Sequence, residues 1–397
     1  MADAGGTVGT MVTAAQPLPA PSLPRAARVR HLGPNWYAAV MGTAILGSAG
    51  VALPAHAAGL RAVFAGAWAA SLLLLVALLA ARALHWAHHR DRARADLLDP
   101  AVAPFYGCLS MALLAVGGGA LTAGKDLIGP GTAVVLDAVL FTAGTAVGLA
   151  AAVAVPYLMA VRHRAQPAQA TPAWLLPLVA PMVSAALGPL LVPHLPAGQP
   201  RETLLLACLA LFGLSLLATL LMLSLVFARL VSGPLPLALT PTLFLVLGPL
   251  GQSTTAVAKI GDAAPGVVPA ADARGLAVLA VLYGVPVMGF ALLWLALAIA
   301  HVVRARRQGM RFAMSWWAFT FPVGTCVTGA MALARHTGLA VYDALAVGLY
   351  ALLAAAWAVA AAGTVRGLLS GELLAAPRRA PVAPRPVTGR TRSGAAR

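Results

Sequence analysis

Long hydrophobic segments fill most of this chain, and they alternate between two kinds. One kind contains Gly and Pro among its apolar residues, whereas the other is a nearly uninterrupted run of Leu, Ala and Val. The broken kind starts near an aromatic residue, and the five aromatics are 69, 69, 70 and 72 residues apart: Trp36, Phe105, Trp174, Phe244 and Trp316. A constant interval indicates one supersecondary unit repeated along the chain. The pattern predicts five helical hairpins.

These segments are long enough to cross a membrane. A spanning helix needs ~20 apolar residues, and the segments lack the alternation of barrel strands. We therefore predict an all-α integral membrane protein with ten transmembrane helices. The odd-numbered spans are 35–54, 102–123, 172–193, 239–259 and 313–334, and the even-numbered spans are 58–83, 131–160, 203–228, 275–303 and 339–364.

The two kinds of span predict two positions in the fold. A helix that faces lipid needs only to be apolar, as the even spans are. Pro and Gly inside a span free backbone groups that need a neighbour or a wet cavity. We therefore expect the odd helices to line a central pore in a pseudo-fivefold arrangement, with the even helices outside. Close helix packing through small residues is the alternative explanation of the glycines.

Composition and charge agree with a membrane protein. The chain is 60% hydrophobic and 10% charged, with a mean hydropathy of +0.87. The net charge of +16 suggests nucleic acid, but 21 of the 27 Lys and Arg residues fall on one side of the predicted membrane. This distribution predicts a plasma-membrane protein with both termini in the cytoplasm and no nucleic-acid partner. Two tails, 1–33 and 367–397, are predicted to be disordered, and residues 34–366 to form the transport domain.

The most polar stretch at membrane depth is GPLGQSTT at 248–255. A helix break there would expose amide groups that attract anions, with neutral side chains adding donors; a structural kink is the alternative. Lys259 would attract anions at the outer mouth of the pore, unless it only reaches towards the interface. The residues predicted to line the pore or bind the anion are Gly42, Thr43, Ser110, Ser184, Gly248, Pro249, Gly251, Gln252, Ser253, Lys259 and Thr320.

Few residues suggest proton coupling, metal binding or catalysis. Asp137 is the one acid clearly inside a span, so it is a candidate for proton coupling, although its place on an even helix favours a structural hydrogen bond. His85 and His88 fit an ordinary basic loop better than a metal site, because no third ligand stands out. The chain has no nucleotide-binding or metalloprotease motif and no paired carboxylates. We expect no cofactor, no metal and no catalytic residues.

Four stretches carry a family resemblance: NWYAAVMGTAILG at 35–47, the segments 177–188 and 248–253, and WWAFTFPVG at 316–324. In order and spacing they resemble the tellurite-resistance/dicarboxylate transporter family, which includes plant slow anion channels, malate permeases and sulfite efflux pumps. The resemblance implies ten helices in five hairpins, a homotrimer, and a pore closed by a phenylalanine on the ninth helix. The matching residue is Phe321, which an ordinary core role would also suit.

The sequence therefore predicts transport of small anions, sulfite or a C4-dicarboxylate such as malate, through a central pore in the lipid bilayer. Whether a proton gradient drives that transport stays open. A passive channel gated by Phe321 is one alternative. A membrane-embedded enzyme or a scaffold is the alternative from another class, although no nucleophile and base are visible at membrane depth.

Overall fold

The structure is a computed structural model that describes residues 30–54, 59–163 and 166–374. Within these ranges the chain is helical and contains no β-strand. The α-helices, numbered in chain order, are α1 Tyr37–Val51, α2 Leu60–His88, α3 Arg90–Leu98, α4 Gly107–Gly119, α5 Lys125–Ile128, α6 Pro130–Leu158, α7 Leu176–Leu187, α8 Gln199–Ser232, α9 Leu247–Ala263, α10 Ala270–Arg307, α11 Phe321–Thr337 and α12 Ala340–Leu369.

Two sets of helices differ in burial. The inner helices are α1, α4, α7, α9 and α11, and the outer helices are α2, α6, α8, α10 and α12. We compare the most apolar stretch of 18 residues in each span. In the spans that contain α4, α7, α9 and α11, between 72% and 89% of that stretch is buried, against 22% to 28% in the outer helices. Each inner helix contacts the next inner helix along the chain, and α11 contacts α1. The inner helices therefore form a closed ring inside the outer ones, as the Gly and Pro pattern predicts.

Each inner helix is preceded by a tighter 3₁₀ turn. These turns are Pro34–Trp36, Ala103–Tyr106, Pro172–Leu175, Leu237–Val246 and Met314–Phe319. Proline has no N–H to donate, so it fits the first turn of an α-helix, where that group has no partner in the helix. Pro177, Pro249 and Pro322 all lie in this first turn.

The prediction of a helix break at the GPLG stretch is wrong. Gly248 and Pro249 lie just after the change from 3₁₀ to α geometry, and α9 then continues without interruption to Ala263. The expected second half-helix with free amide groups is therefore absent from this stretch of the described chain. A proline in the first turn removes no hydrogen bond that the helix would have made, which is why the helix is not divided there.

Nine helical segments in the described ranges are long and apolar enough to cross a membrane. They include every predicted span except the first. That first segment, α1 with its preceding turn, is 18 residues long, about 28 Å at the rises of the two helix types. This is close to the ~30 Å hydrocarbon thickness, and its crossing stays a prediction. The chain is an all-α membrane protein.

Several boundaries differ from the predicted ones. Helix α2 continues to His88 and α3 follows at once, so the segment predicted as a basic loop is helical. Helix α12 continues to Leu369, and Glu372–Leu374 form a further turn, so the predicted tail from 367 begins with ordered residues. At the other end Leu32 is buried, and its carbonyl accepts a hydrogen bond from the buried Arg82. Residues 1–29 and 375–397 of the predicted tails lie outside the described residues.

Candidate functional site

Two cavities lie inside the ring of inner helices. The N-end cavity, about 40 Å³ in volume, is lined by the first turns of all five inner helices and the segments before them. The C-end cavity, about 190 Å³, is lined by residues nearer the other ends of the same helices. Neither lining includes a residue of an outer helix. The two cavities therefore follow one another along the axis of the ring.

Phe321 is the residue that the two cavity walls share. It begins α11, directly after the 3₁₀ turn, and only 4% of its surface is exposed. The side chain thus lies between the two cavities and contributes to the wall of each.

Several contacts hold the start of α11 in place. The Trp317 indole N–H donates to the Thr364 hydroxyl of α12 at 2.9 Å, and the Thr320 hydroxyl donates to the Trp317 carbonyl at 2.7 Å. Gly42 of α1 lies directly against both Thr320 and Trp317. A Cβ at position 42 would come within 2.2 Å of the Thr320 Oγ1 atom. The missing side chain at Gly42 is what allows this close approach.

The two cavities differ in chemistry. The N-end cavity is mainly apolar, with the side chains of Met41, Met111, Leu175, Leu176 and Val179 in its wall. The C-end cavity has seven polar side chains, namely those of Ser48, Thr122, Gln252, Thr255, Lys259, Thr328 and Arg335. Two of these side chains are cationic, and no acidic residue lines either cavity within the described chain. The C-end cavity thus has the electrostatic character that favours anions.

Four of the predicted site residues line the cavities. Gly248 lines the N-end cavity, Gln252 and Lys259 line the C-end cavity, and Phe321 lines both. Gln252, Thr255 and Lys259 are three and four residues apart, so they share one face of α9. The structure thus brings the predicted phenylalanine and two of the predicted anion-binding side chains to the same central space. Their roles stay predictions.

The other predicted residues contact neighbouring helices instead of the cavities. Thr43 accepts from the Trp357 indole at 3.1 Å, Ser110 donates to the Gly144 carbonyl at 2.6 Å, and Ser184 accepts from Thr145 at 2.9 Å. Gly42 and Thr320 contact each other, and Gly251 packs against the backbone of α11. Pro249 and Ser253 lie at a separate groove between α8 and α10.

The sequence prediction missed five polar residues of the C-end cavity: Ser48, Thr122, Thr255, Thr328 and Arg335. A signal was available, because Phe321, Thr328 and Arg335 are seven residues apart, and residues two helical turns apart lie on the same face. In the first inner segment Ile45 and Ala52 are likewise seven residues apart, and Ser48 lies between them on the same face. Following α11 from Phe321 at this spacing leads to Thr328 and Arg335.

Asp137 lies behind the C-end cavity, outside its wall. The carboxyl group belongs to α6, is 1% exposed, and contacts Gly117 of α4, beside the lining residues Gly118 and Gly119. Neither carboxyl oxygen has a hydrogen-bond partner among the described residues. The structural hydrogen bond expected from the sequence is therefore not found there.

Comparison with known proteins agrees with this architecture. Residues 31–365 match the family model described as the voltage-dependent anion channel, SLAC1. The chain belongs to this family. The match confirms the resemblance to tellurite-resistance/dicarboxylate transporters, and it covers every helix of the two rings except the last residues of α12.

Two relatives align with most of this chain. An uncharacterized transporter of Methanocaldococcus jannaschii is 27% identical over 347 residues, covering 87% of this chain and 96% of the relative. A sulfite efflux pump of Arthroderma otae is 26% identical over 352 residues, covering 87% of this chain and 93% of the relative. Family membership makes this protein a multi-pass membrane transporter of small anions and not an enzyme.

Proposed function

We propose that the two cavities form a single pathway for small anions and that Phe321 closes it between them. The observation that carries the proposal is that both cavity walls include this one side chain. An aromatic ring makes a dry constriction, which an ion cannot pass without losing its water. Movement of the Phe321 ring would join the cavities, and the contacts around Trp317 and Thr320 hold the backbone from which the ring projects.

We propose sulfite as the first cargo to test. Sulfite efflux pumps are among the relatives that align over most of this chain. A C4-dicarboxylate such as malate is the second candidate, because the chemistry of the C-end cavity suits any small oxyanion. The proposed setting is the plasma membrane with both termini in the cytoplasm, so that the C-end cavity opens outside. The homotrimer implied by the family resemblance belongs to the same proposal.

Flux into proteoliposomes tests this function. Purified protein would be reconstituted and the uptake of labelled sulfite, malate and chloride measured with and without a pH gradient. We expect saturable sulfite uptake that exceeds the uptake of protein-free vesicles. No uptake of any of the three anions by correctly folded protein would contradict the proposal.

A proton-coupled carrier is the second candidate mechanism, and Asp137 favours it. An acid inside a membrane segment is expensive and is by default a functional residue. Here the buried carboxyl group has no hydrogen-bond partner in the described chain, and it lies next to the cavity that would hold the anion. A passive channel has no use for such a group. A pH gradient that accelerates uptake would favour the carrier, whereas a rate that follows only the anion gradient would favour the channel.

A further inference from the structure

The hydroxyl groups of the C-end cavity have no proton left for a ligand. A Ser or Thr hydroxyl has a single hydrogen to donate. Ser48 donates to the Ala44 carbonyl at 3.1 Å and Thr122 to the Gly118 carbonyl at 3.1 Å. Each lining hydroxyl therefore turns its lone pairs, and not its hydrogen, towards the cavity.

The same holds for the two threonines between α9 and α11. Thr255 and Thr328 lie 2.8 Å apart, and each also reaches a carbonyl of its own helix at 3.0 Å. Whichever of the two donates to the other, both hydrogens are used within the protein. Oxygen lone pairs repel an anion, so these hydroxyls do not bind one.

Three side chains in the same cavity keep free N–H donors. Gln252 is 4% exposed, lines the cavity, and has no hydrogen-bond partner among the described residues. Lys259 and Arg335 likewise form no hydrogen bond or ion pair within the described chain. Asp262, three residues after Lys259, lies 3.0 Å from the His336 ring nitrogen and forms no ion pair with Lys259.

The packing of α9 against α11 sets the depth of these donors. Thr255 of α9 and Thr328 of α11 are hydrogen-bonded, so they lie at the same height along the axis. Lys259, four residues after Thr255, is therefore level with residue 332 of α11, about one turn from Arg335. Gln252 lies seven residues deeper on α9, about 10 Å below Lys259. By the same register Gln252 is level with residue 325 of α11, about 6 Å along the axis from Phe321. The sequence of groups along the axis is two cations, one neutral amide and the aromatic ring.

We propose that these three nitrogen donors form a recognition site for small oxyanions and that Gln252 determines its specificity. The proposal rests on the transport function proposed above. Lys259 and Arg335 attract the anion at the mouth, where the planar guanidinium matches two oxygens at once. Gln252 then receives it next to the constriction. A neutral amide binds without trapping, which transport requires.

A direct binding measurement tests the site separately from transport. Binding of labelled sulfite to the purified full-length protein in detergent would be measured by scintillation proximity, with displacement by unlabelled sulfite and by chloride. Gln252→Met keeps the length of the side chain and removes its donors. We expect it to weaken sulfite binding roughly ten-fold, as for a lost hydrogen bond to a charged group, and to change displacement by chloride less than about two-fold.

Two further variants give the measurement its controls. Thr122→Val removes a hydroxyl from the same wall and should leave sulfite binding within about two-fold, because that hydroxyl has no free hydrogen. Gln252→Asn keeps the amide and should bind sulfite more tightly than Gln252→Met. That difference would show that the loss of binding in Gln252→Met comes from the missing amide and not from a folding defect. Equal losses in Thr122→Val and Gln252→Met, or unchanged binding in a folded Gln252→Met protein, would overturn the assignment.

The outcomes also separate this site from the transport proposal. Wild-type protein that binds sulfite through Gln252 but moves no anion would refute the transport function and keep the site. Protein that transports sulfite with the same apparent KM in wild type and Gln252→Met would refute the site and keep the function. Wild-type protein that neither binds nor transports sulfite would refute both.

Discussion

Gly251 and Cys326 bring the backbones of α9 and α11 into direct contact. A Cβ at position 251 would lie 2.5 Å from the Cys326 amide nitrogen, closer than real Cβ atoms come to a non-bonded atom. The contact fixes the register of the two helices that carry Gln252 and Phe321. It also explains a glycine in the interior of a helix, where alanine would otherwise be favoured by about 1 kcal/mol.

Gly251→Ala is therefore expected to destabilise the protein. The obstacle is backbone and cannot rotate away, so overpacking should cost about 1–3 kcal/mol or more and lower the melting temperature in detergent. Gly248→Ala is the matched control three residues away, since its new methyl group would meet only Pro322 at 4.0 Å. Equal melting temperatures for the two variants would mean that the helices separate easily at this point.

The sequence predicted the two rings well, because the difference between them is compositional. An outer helix such as α8 needs nothing but apolar side chains, whereas α9 and α11 approach each other through Gly251 and so need small residues. The period of about 70 residues then assigned every span to one ring. Helix ends were predicted less well, because packing and charge at the ends are not periodic. Arg90 and Leu369 were predicted to lie in a loop and in a tail, and both lie in helices.

The sequence could not show which polar residues of the inner helices contact neighbouring helices instead of the cavities. Ser110 and Ser184 look like pore hydroxyls, but their partners, Gly144 and Thr145, are far away in sequence and visible only in the fold. Gly248 and Pro249 look like a break, although a proline in the first turn of a helix interrupts nothing. The identity of a hydrogen-bond partner is a three-dimensional property, and composition does not contain it.

Topology can be tested by labelling single cysteines in intact cells. The native cysteines are all buried, so the background should be low. Gln166→Cys and Gln308→Cys lie on the predicted cytoplasmic side, and Ala197→Cys on the other; all three positions are exposed. Ala197 suits the substitution better than the neighbouring Gly198, whose φ of 90° disfavours other residues. We expect an impermeant maleimide to label only Ala197→Cys, and labelling at position 308 from outside would reverse the orientation.

Asp137→Asn should separate proton coupling from passive flux. The amide has the shape of the carboxyl group but cannot take up and release a proton. If Asp137 carries the coupling proton, the variant loses the acceleration of sulfite uptake by an inward proton gradient and keeps uptake down the sulfite gradient. Measuring both rates in the same vesicles provides the internal control. A variant with the full wild-type response to the proton gradient would remove Asp137 from the mechanism.

Lys259→Glu should reduce anion flux in a salt-dependent way. The substitution turns one of the two cations in the C-end cavity into an anion. At 0.01 M ionic strength the screening length is about 30 Å, against about 3 Å at 1 M, so the loss should be largest in dilute salt. Lys125→Glu makes the same charge change at an exposed position outside both cavities, and should have a smaller effect, because water weakens the field of an exposed charge. Equal losses at both ionic strengths would mean that Lys259 acts through packing.

Phe321→Ala is expected to open the pathway. Removing the ring joins the two cavities that share it, so anion conductance in planar bilayers should rise while yield and oligomer size stay near wild type. If the ring served only the core, the same change would cost about 3–5 kcal/mol and mostly reduce the folded fraction. Phe319→Ala is the control, since that ring packs edge-on against Phe244 at 4.8 Å and lies outside both cavities. Folded Phe321→Ala protein without a gain in conductance would show that another part of the chain closes the pathway.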